Sequence, residues 1–327
     1  MKKFVLFIAL GIFLLFAVIQ GWVGFQNIIE YFFKINIVYI PLILLIPFIV
    51  ILICGVRWNM LLNSLKIETN WKSIFKSVFI GNMVANITPV SRFGGEPVKA
   101  YVISEDLGVQ KRSVFASVVT DSMLESFSVM LLSFFAVLTL VSFRADMIIF
   151  FGLLGIFFGA MFFFLFIIYN EKTLMKFSRK IAGLVARFSK KHARKIPASA
   201  RKFRKQFKNI ENNRVLITKT FALSLVERLV EVIGFYIIVI AMGIPFDLVS
   251  SAMVIGTGAL AGTIPLLPGG LVLYESSSIM ALQVLGIPAT MGTALILIWR
   301  ATMYGILTIT GAIVTWVSSA KLMKLMR

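Results

Sequence analysis

Of the 327 residues, 59% are hydrophobic, 31 are Phe and only 14% carry charge, while the net charge is +19. That much apolar surface excludes a soluble domain, leaves no room for a separate soluble catalytic one, and reads as an all-α polytopic membrane protein. The basic excess does not indicate nucleic acid. Of the 33 Lys and Arg, 15 fall between Glu171 and Arg214, as expected of a cytoplasmic loop under the positive-inside rule.

In chain order, Lys2-Lys3 lead into an apolar run over 4–24. No small-x-small cleavage site follows before Trp22, so the run reads as a retained first span and not a signal peptide. Further runs near or above the roughly 20 residues that cross a bilayer cover 38–56, 114–141, 147–169, 215–242 and 290–317. The segments 73–104 and 249–285 are apolar only in pieces, interrupted by Pro, Gly and charge. They are expected to be two re-entrant helix pairs, because a backbone break in hydrocarbon survives only inside protein or beside a water-filled cavity. If both cross fully instead, the count becomes about eight to ten spans.

Charge sets the expected orientation. Lys2-Lys3, the stretch from Arg57 to Lys76, the 171–214 loop and Lys321-Lys324-Arg327 are all assigned to the cytoplasm, as are both termini. Six spans then make 38–141 and 215–317 two similar units of opposite orientation, an inverted repeat. Within 171–214, Leu174, Phe177, Ile181, Leu184, Val185 and Phe188 recur at three and four residues among Lys and Arg. After a break at Ile196-Pro197-Ala198-Ser199, Phe203, Phe207 and Ile210 do the same. Two basic amphipathic helices on the inner leaflet are expected, either as a plain anchor or as a reader of anionic lipid headgroups.

The candidate site lies at the breaks and on the spans after them. Thr88-Pro-Val-Ser-Arg92-Phe-Gly94-Gly95-Glu96 and Ile264-Pro-Leu-Leu-Pro-Gly269-Gly270 are each followed by a short helical run, a lone Gly (Gly108, Gly286) and a long apolar segment with a charge, Asp121 or Arg300. Broken helices at matching places in two halves point to a transporter's binding site. On the third span Ser117, Asp121, Leu124 and Ser128 share a face, with Glu125 a turn away. Ser224, Glu227 and Glu231 form a stripe on the fifth, with Arg228 three residues before Glu231. Arg300, Tyr304 and Thr308 align on the sixth.

A charge at a span centre costs about 2.5–3.5 kcal/mol even on the mildest scale, so each should face protein or water. Freed N–H groups at a broken helix, with Arg92 and Arg300, could hold a phosphate. The carboxylates could bind a cationic or hydroxylated headgroup or carry protons. Structural salt bridges and tight glycine packing account for the same residues without a ligand. A single Cys54, a lone His192 in the basic loop and the lack of a phosphate-binding G-x-x-x-x-G-K-[ST] motif leave no basis for a metal, a cofactor, a His-based triad or nucleotide hydrolysis.

Arg92-Phe-Gly-Gly-Glu96-Pro-Val-Lys99-Ala-Tyr, then Gly108-Val and Ala116-Ser-Val-Val with acids after it, resembles the membrane domain of the lysylphosphatidylglycerol synthetase family. Pro268-Gly-Gly270-Leu, Glu275, Gly286 and Arg300 resemble its Pro-Gly-Gly-Leu-Gly-x-x-Glu segment and later Arg. The resemblance spans nearly the whole chain and implies a multi-span domain that moves aminoacylated phospholipid between leaflets. It places Arg92, Gly94, Gly95, Glu96, Lys99, Glu275 and Arg300 at the site. Asp121-Ser122 stands where a Glu-Arg pair is expected, and Glu125 matches a later acid. Val272 replaces a Gly, and the aminoacyl-transferring domain of the fused synthetases is not in this sequence.

The expected function is therefore a non-enzymatic lipid flippase or transporter in the cell membrane. Its partners are membrane lipids, and its cargo an anionic, aminoacylated or polyprenyl-linked lipid. The substrate-binding residues are expected to be Arg92, Gly94, Gly95, Glu96, Lys99, Asp121, Glu125, Gly269, Gly270, Glu275 and Arg300, with Glu227, Arg228, Glu231 and Tyr304 secondary. A secondary transporter of a small solute, or the membrane partner of a lipid-modifying enzyme, is the alternative.

Overall fold

A computed structural model describes residues 31, 34–88, 92–142, 148–186, 196–264 and 270–325. The expected first span, His192 and Gly269 lie outside them, as does the side chain of Arg92. Every regular element among the described residues is helical. After a 3-10 turn at Ile37–Tyr39 come α1 (Ile40–Ser64), α2 (Trp71–Ile87), α3 (Arg92–Leu107), α4 (Lys111–Ser142) and α5 (Ile148–Tyr169). Then follow α6 (Glu171–Ala186), α7 (Ile196–Glu211), α8 (Arg214–Ala241), α9 (Leu248–Gly262), α10 (Leu273–Val284), α11 (Ala289–Arg300), a π-turn (Ala301–Gly305) and α12 (Ile306–Leu325).

Short polar residues start these helices. Asn70 accepts a hydrogen bond from the Ser73 N–H at α2 (2.8 Å), and Asp247 accepts from Ser250 N–H at α9 (2.9 Å). Asn213 accepts from Leu216 N–H at α8. Each supplies an acceptor to one of the free N–H groups of a first turn. Gly108 after α3 and Gly286 after α10 have φ of +65° and +84°, the left-handed stop that Gly adopts without a Cβ penalty.

The apolar–polar order is that of a protein in lipid. Leu44, Leu45, Phe48, Leu52, Phe134, Phe135, Phe163 and Trp316 point outward, whereas Arg57, Lys99, Asp121, Glu227, Arg228 and Arg300 are buried. Among the described residues three stretches, Ile37–Ser64, Ser113–Leu140 and Ala289–Ser318, are long and apolar enough to cross a membrane. Acids and bases in α8 dilute its hydropathy although it has 28 residues.

Helix α2 packs on α3, and α9 packs on α10, so each expected break joins two paired helices. Helix α4 lies on α9, α12 lies on α2, and α1 lies on α8. Glycine allows the close crossings. A Cβ on Gly256 of α9 would meet Ala136 Cβ at 2.6 Å, and one on Gly311 of α12 would meet the Phe79 carbonyl at 2.6 Å. One apolar core, around Phe235, Met253, Leu282 and Trp299, joins α1, α4 and α8 to α11. A second, around Trp58, Ile74, Ile103 and Val118, joins α1 to α4.

The basic loop does hold two helices, but Ile196-Pro197 opens the second one instead of preceding it. Pro is tolerated there because a first-turn N–H has no helical partner. The apolar face of α7 also meets protein: Phe207 packs with Met123, and Ile210 with Leu61 and Leu216.

Val272, at the entrance to α10, has φ 73° and ψ −52°, close to a strained γ-turn that a β-branched residue rarely adopts. Val272→Gly should therefore raise stability by about 1 kcal/mol, the relief of strain exceeding the entropy Gly adds to the unfolded chain. Thermal unfolding in detergent measures this, and a lowered melting temperature would show that the turn is unstrained.

Candidate functional site

A network of ionised side chains crosses the bundle where α1, α3, α4 and α8 meet. Its centre is Arg57, fully buried on α1. Arg57 Nε donates to Asp121 Oδ1 on α4 (2.6 Å), and one terminal nitrogen donates to both Glu227 and Ser224 Oγ on α8. The other terminal nitrogen lies 3.6 Å from Glu125. A planar fork with donors in several directions is what such a junction needs; an ammonium could not reach all these acceptors.

Lys99 of α3 holds the second Asp121 oxygen (Nζ to Oδ2 2.8 Å) and sits 4.5 Å above the Trp58 ring. Trp58 Nε1 donates to Ser117 Oγ (3.1 Å). On α8, Arg228 bonds Glu227 (2.7 Å) and Glu231 (2.5 Å) and lies 3.6 Å from Glu125. Both arginines thus share Glu125 and Glu227. Among the described residues the network counts the acids Glu96, Asp121, Glu125, Glu227 and Glu231 against the bases Arg57, Lys99 and Arg228. Glu125 and Glu231 are partly exposed, at 18% and 13% of the side chain.

A second group stands on the α10–α12 side. Arg300 Nε lies 2.6 Å from Glu275 Oε1, and the guanidinium stacks over Tyr304 at 3.7 Å and Tyr274 at 4.8 Å. Trp299 Nε1 donates to the Tyr274 hydroxyl (2.9 Å). The π-turn begins directly after Arg300, where one wide turn interrupts the ladder of the expected single span. Such turns recur at functional sites. Asn86, near the end of α2, donates to Thr308 Oγ1 (3.0 Å), tying that break to α12. Trp299, which bonds Tyr274, also packs against Gly234 and Phe235 of α8, so the two groups adjoin.

The expected site residues separate on this geometry. Glu96, Lys99, Asp121 and Glu125 come together with Glu227, Arg228 and Glu231, while Glu275, Arg300 and Tyr304 form the adjoining group. Gly94 and Gly95 sit where α2 and α3 cross closely. A Cβ on Gly94 would collide with Thr88, and one on Gly95 with the Gly81 carbonyl and Ala85; they let α2 and α3 touch. Gly270 is buried with φ +69° against Gly262.

Arg57 was missed. Its place beside Asn59, Asn63 and Lys66 assigns it to a charged cytoplasmic flank, yet α1 continues to Ser64 and turns Cys54, Arg57, Trp58 and Leu61 inward together. The helical spacing of those four residues was the available signal.

The family model of the lysylphosphatidylglycerol synthase transmembrane region matches residues 6–311. The chain belongs to this family. It is also similar to three archaeal proteins, each named a UPF0104 membrane protein. The relative from Methanothermobacter thermautotrophicus is 25% identical, over 85% of this chain and 85% of its own length. That from Methanocaldococcus jannaschii is 24% identical over 92% and 91%, and that from Pyrococcus horikoshii 26% over 93% and 96%. Family membership assigns the chain to a membrane, lipid-related class, in accord with its apolar exterior.

Asp121 is the acid on which most of the network turns, since it holds both Arg57 and Lys99. Asp121→Asn leaves two buried cations short of a counter-charge and should cost about 3–5 kcal/mol, more than neutralising the partly exposed Glu231. Denaturation of both variants in the same detergent compares them; equal losses would contradict this ranking.

Proposed function

We propose that this chain moves a lipid between leaflets, its headgroup passing along the ionised network while its tails stay in the bilayer. The observation that carries the reading is the burial of so many charges inside a protein whose outside is apolar. Buried ion pairs are poor stabilisers compared with apolar packing, so a network this large calls for a use. Its partly exposed edge, Glu125 and Glu231, is where a headgroup would enter. The terminal nitrogens of Arg57 and Arg228 already lie on carboxylates, which favours exchange of partners over a vacant phosphate clamp. A cationic or hydroxylated headgroup would take an acid from an arginine, and its phosphate would take the arginine.

The two halves, 38–141 and 215–317, act in this reading as inverted repeats that rock against each other, with 73–104 and 249–285 re-entrant. The pairing of α4 with α9, α12 with α2 and α1 with α8 supports it, because exchanging the halves maps each contact onto its partner. So does the presence of one central arginine on each of α1 and α8. Both termini and the α6–α7 region face the cytoplasm. There a cavity of about 260 Å³ between α6 and α7 is lined by Glu171, Met175, Arg201, Arg204, Lys205 and Lys208, a setting suited to an anionic headgroup. The chain is read as a transporter and not an enzyme.

Reconstitution with fluorescent phospholipids tests the reading. The wild-type chain should accelerate exchange between leaflets. The double variant Arg92→Gln, Arg300→Gln should slow it at least tenfold while remaining folded. Unchanged exchange in the stable double variant would remove both arginines from the headgroup path. Exchange no faster than in protein-free liposomes, for every lipid class tried, would contradict lipid movement itself.

A further inference from the structure

Glu96 is set apart from the other acids of the network. It stands on the first turns of α3, where Gly95 presses the helix onto α2, and its Oε2 is buried with no hydrogen-bond partner. An ionised carboxylate oxygen left so is costly to bury, whereas a carboxylic acid in the same place carries no charge to desolvate. On α3 itself, Lys99 lies three residues on but gives its ammonium to Asp121. From α4 come Ser122, Asp121 and Glu125. The Ser122 hydroxyl donates to the Val118 carbonyl at 3.0 Å. From α1, Arg57 is taken by Asp121, Glu227 and Ser224. From α2, the residues against this turn are Gly81 and Ala85, which carry no charge.

The count of charges agrees. Five acids stand against three bases among the described residues of the network, and adding Arg92 would still leave one acid in excess. One proton on Glu96 reduces that excess at the least-partnered position.

We propose that Glu96 binds an exchangeable proton and couples transport to proton movement. With the proton bound, Lys99 stays on Asp121. When the carboxyl releases H⁺ to water, its carboxylate competes with Asp121 for Lys99, one turn away on the same helix. Asp121 then loosens its hold on Arg57, so proton release reaches the junction of α1, α4 and α8. The coupling rests on the lipid-movement reading; the proton site itself does not.

Infrared spectroscopy of the whole protein in liposomes separates the two. At neutral pH the wild type should show the C=O stretch of a protonated carboxyl, which Glu96→Gln removes. Ser122→Ala, which disturbs only a neighbouring hydroxyl, should shift that band without abolishing it, and so keeps the assignment testable should Glu96→Gln fail to fold. A pH gradient imposed across the liposomes should change lipid exchange severalfold in the wild type and leave Glu96→Gln unaffected. Absence of the band at neutral pH, or its persistence unshifted in both variants, would overturn the proton site. A band that behaves as expected, with exchange indifferent to the gradient, would overturn the coupling. A correct band in a protein that moves no lipid would count against the lipid-movement reading alone.

Discussion

The desolvation of one guanidinium governs the interior. Arg57 is fully buried, so its charge must be met from within the protein, and the acids that meet it come from α4 and α8. Because a buried charge without a partner costs several kcal/mol, α1, α4 and α8 cannot separate unless other groups replace those contacts. Lys99 extends the same constraint to α3 through the other oxygen of Asp121. The apolar cores fill space on either side, but non-directional packing does not fix which faces of four helices meet. The ion network does.

A network built in this way is stable without being inflexible. Arg57 and Arg228 share Glu125 and Glu227, so either arginine can keep a counter-charge while the other changes partner. That redundancy separates it from a simple structural salt bridge, where loss of one contact leaves a bare ion. It also suits a headgroup that carries charges of its own, because each displaced side chain finds a substitute. Arg300 offers a different surface, its guanidinium flat against Tyr304 and its edge toward Glu275.

Much of this was legible in the sequence and some was not. The helices follow from hydrophobic runs and from the breaks at Pro89 and Pro265-Pro268, and the polar face of α8 follows from the spacing of Ser224, Glu227 and Glu231. The grouping of Asp121 with Glu125 and of Arg300 with Tyr304 comes from the same helical arithmetic. Arg57 was hidden because charge at the end of an apolar run is ordinarily a flank, and its partners lie 64 and 170 residues away. Gly94 and Gly95 were ambiguous for a physical reason: a ligand and a packed helix both demand the absence of Cβ, and the packing against Thr88 and the Gly81 carbonyl is visible only in three dimensions. The apolar face of α7 was likewise visible in sequence, but not that protein would cover it.

The claim that binds these parts together is that lipid movement proceeds through re-pairing at Arg57. Arg57→Lys keeps the charge but removes the fork that contacts two helices at once. Lipid exchange in proteoliposomes, measured beside the melting temperature, tests it most directly. The account predicts a folded, inserted protein whose exchange rate falls at least tenfold; exchange at the wild-type rate would contradict it.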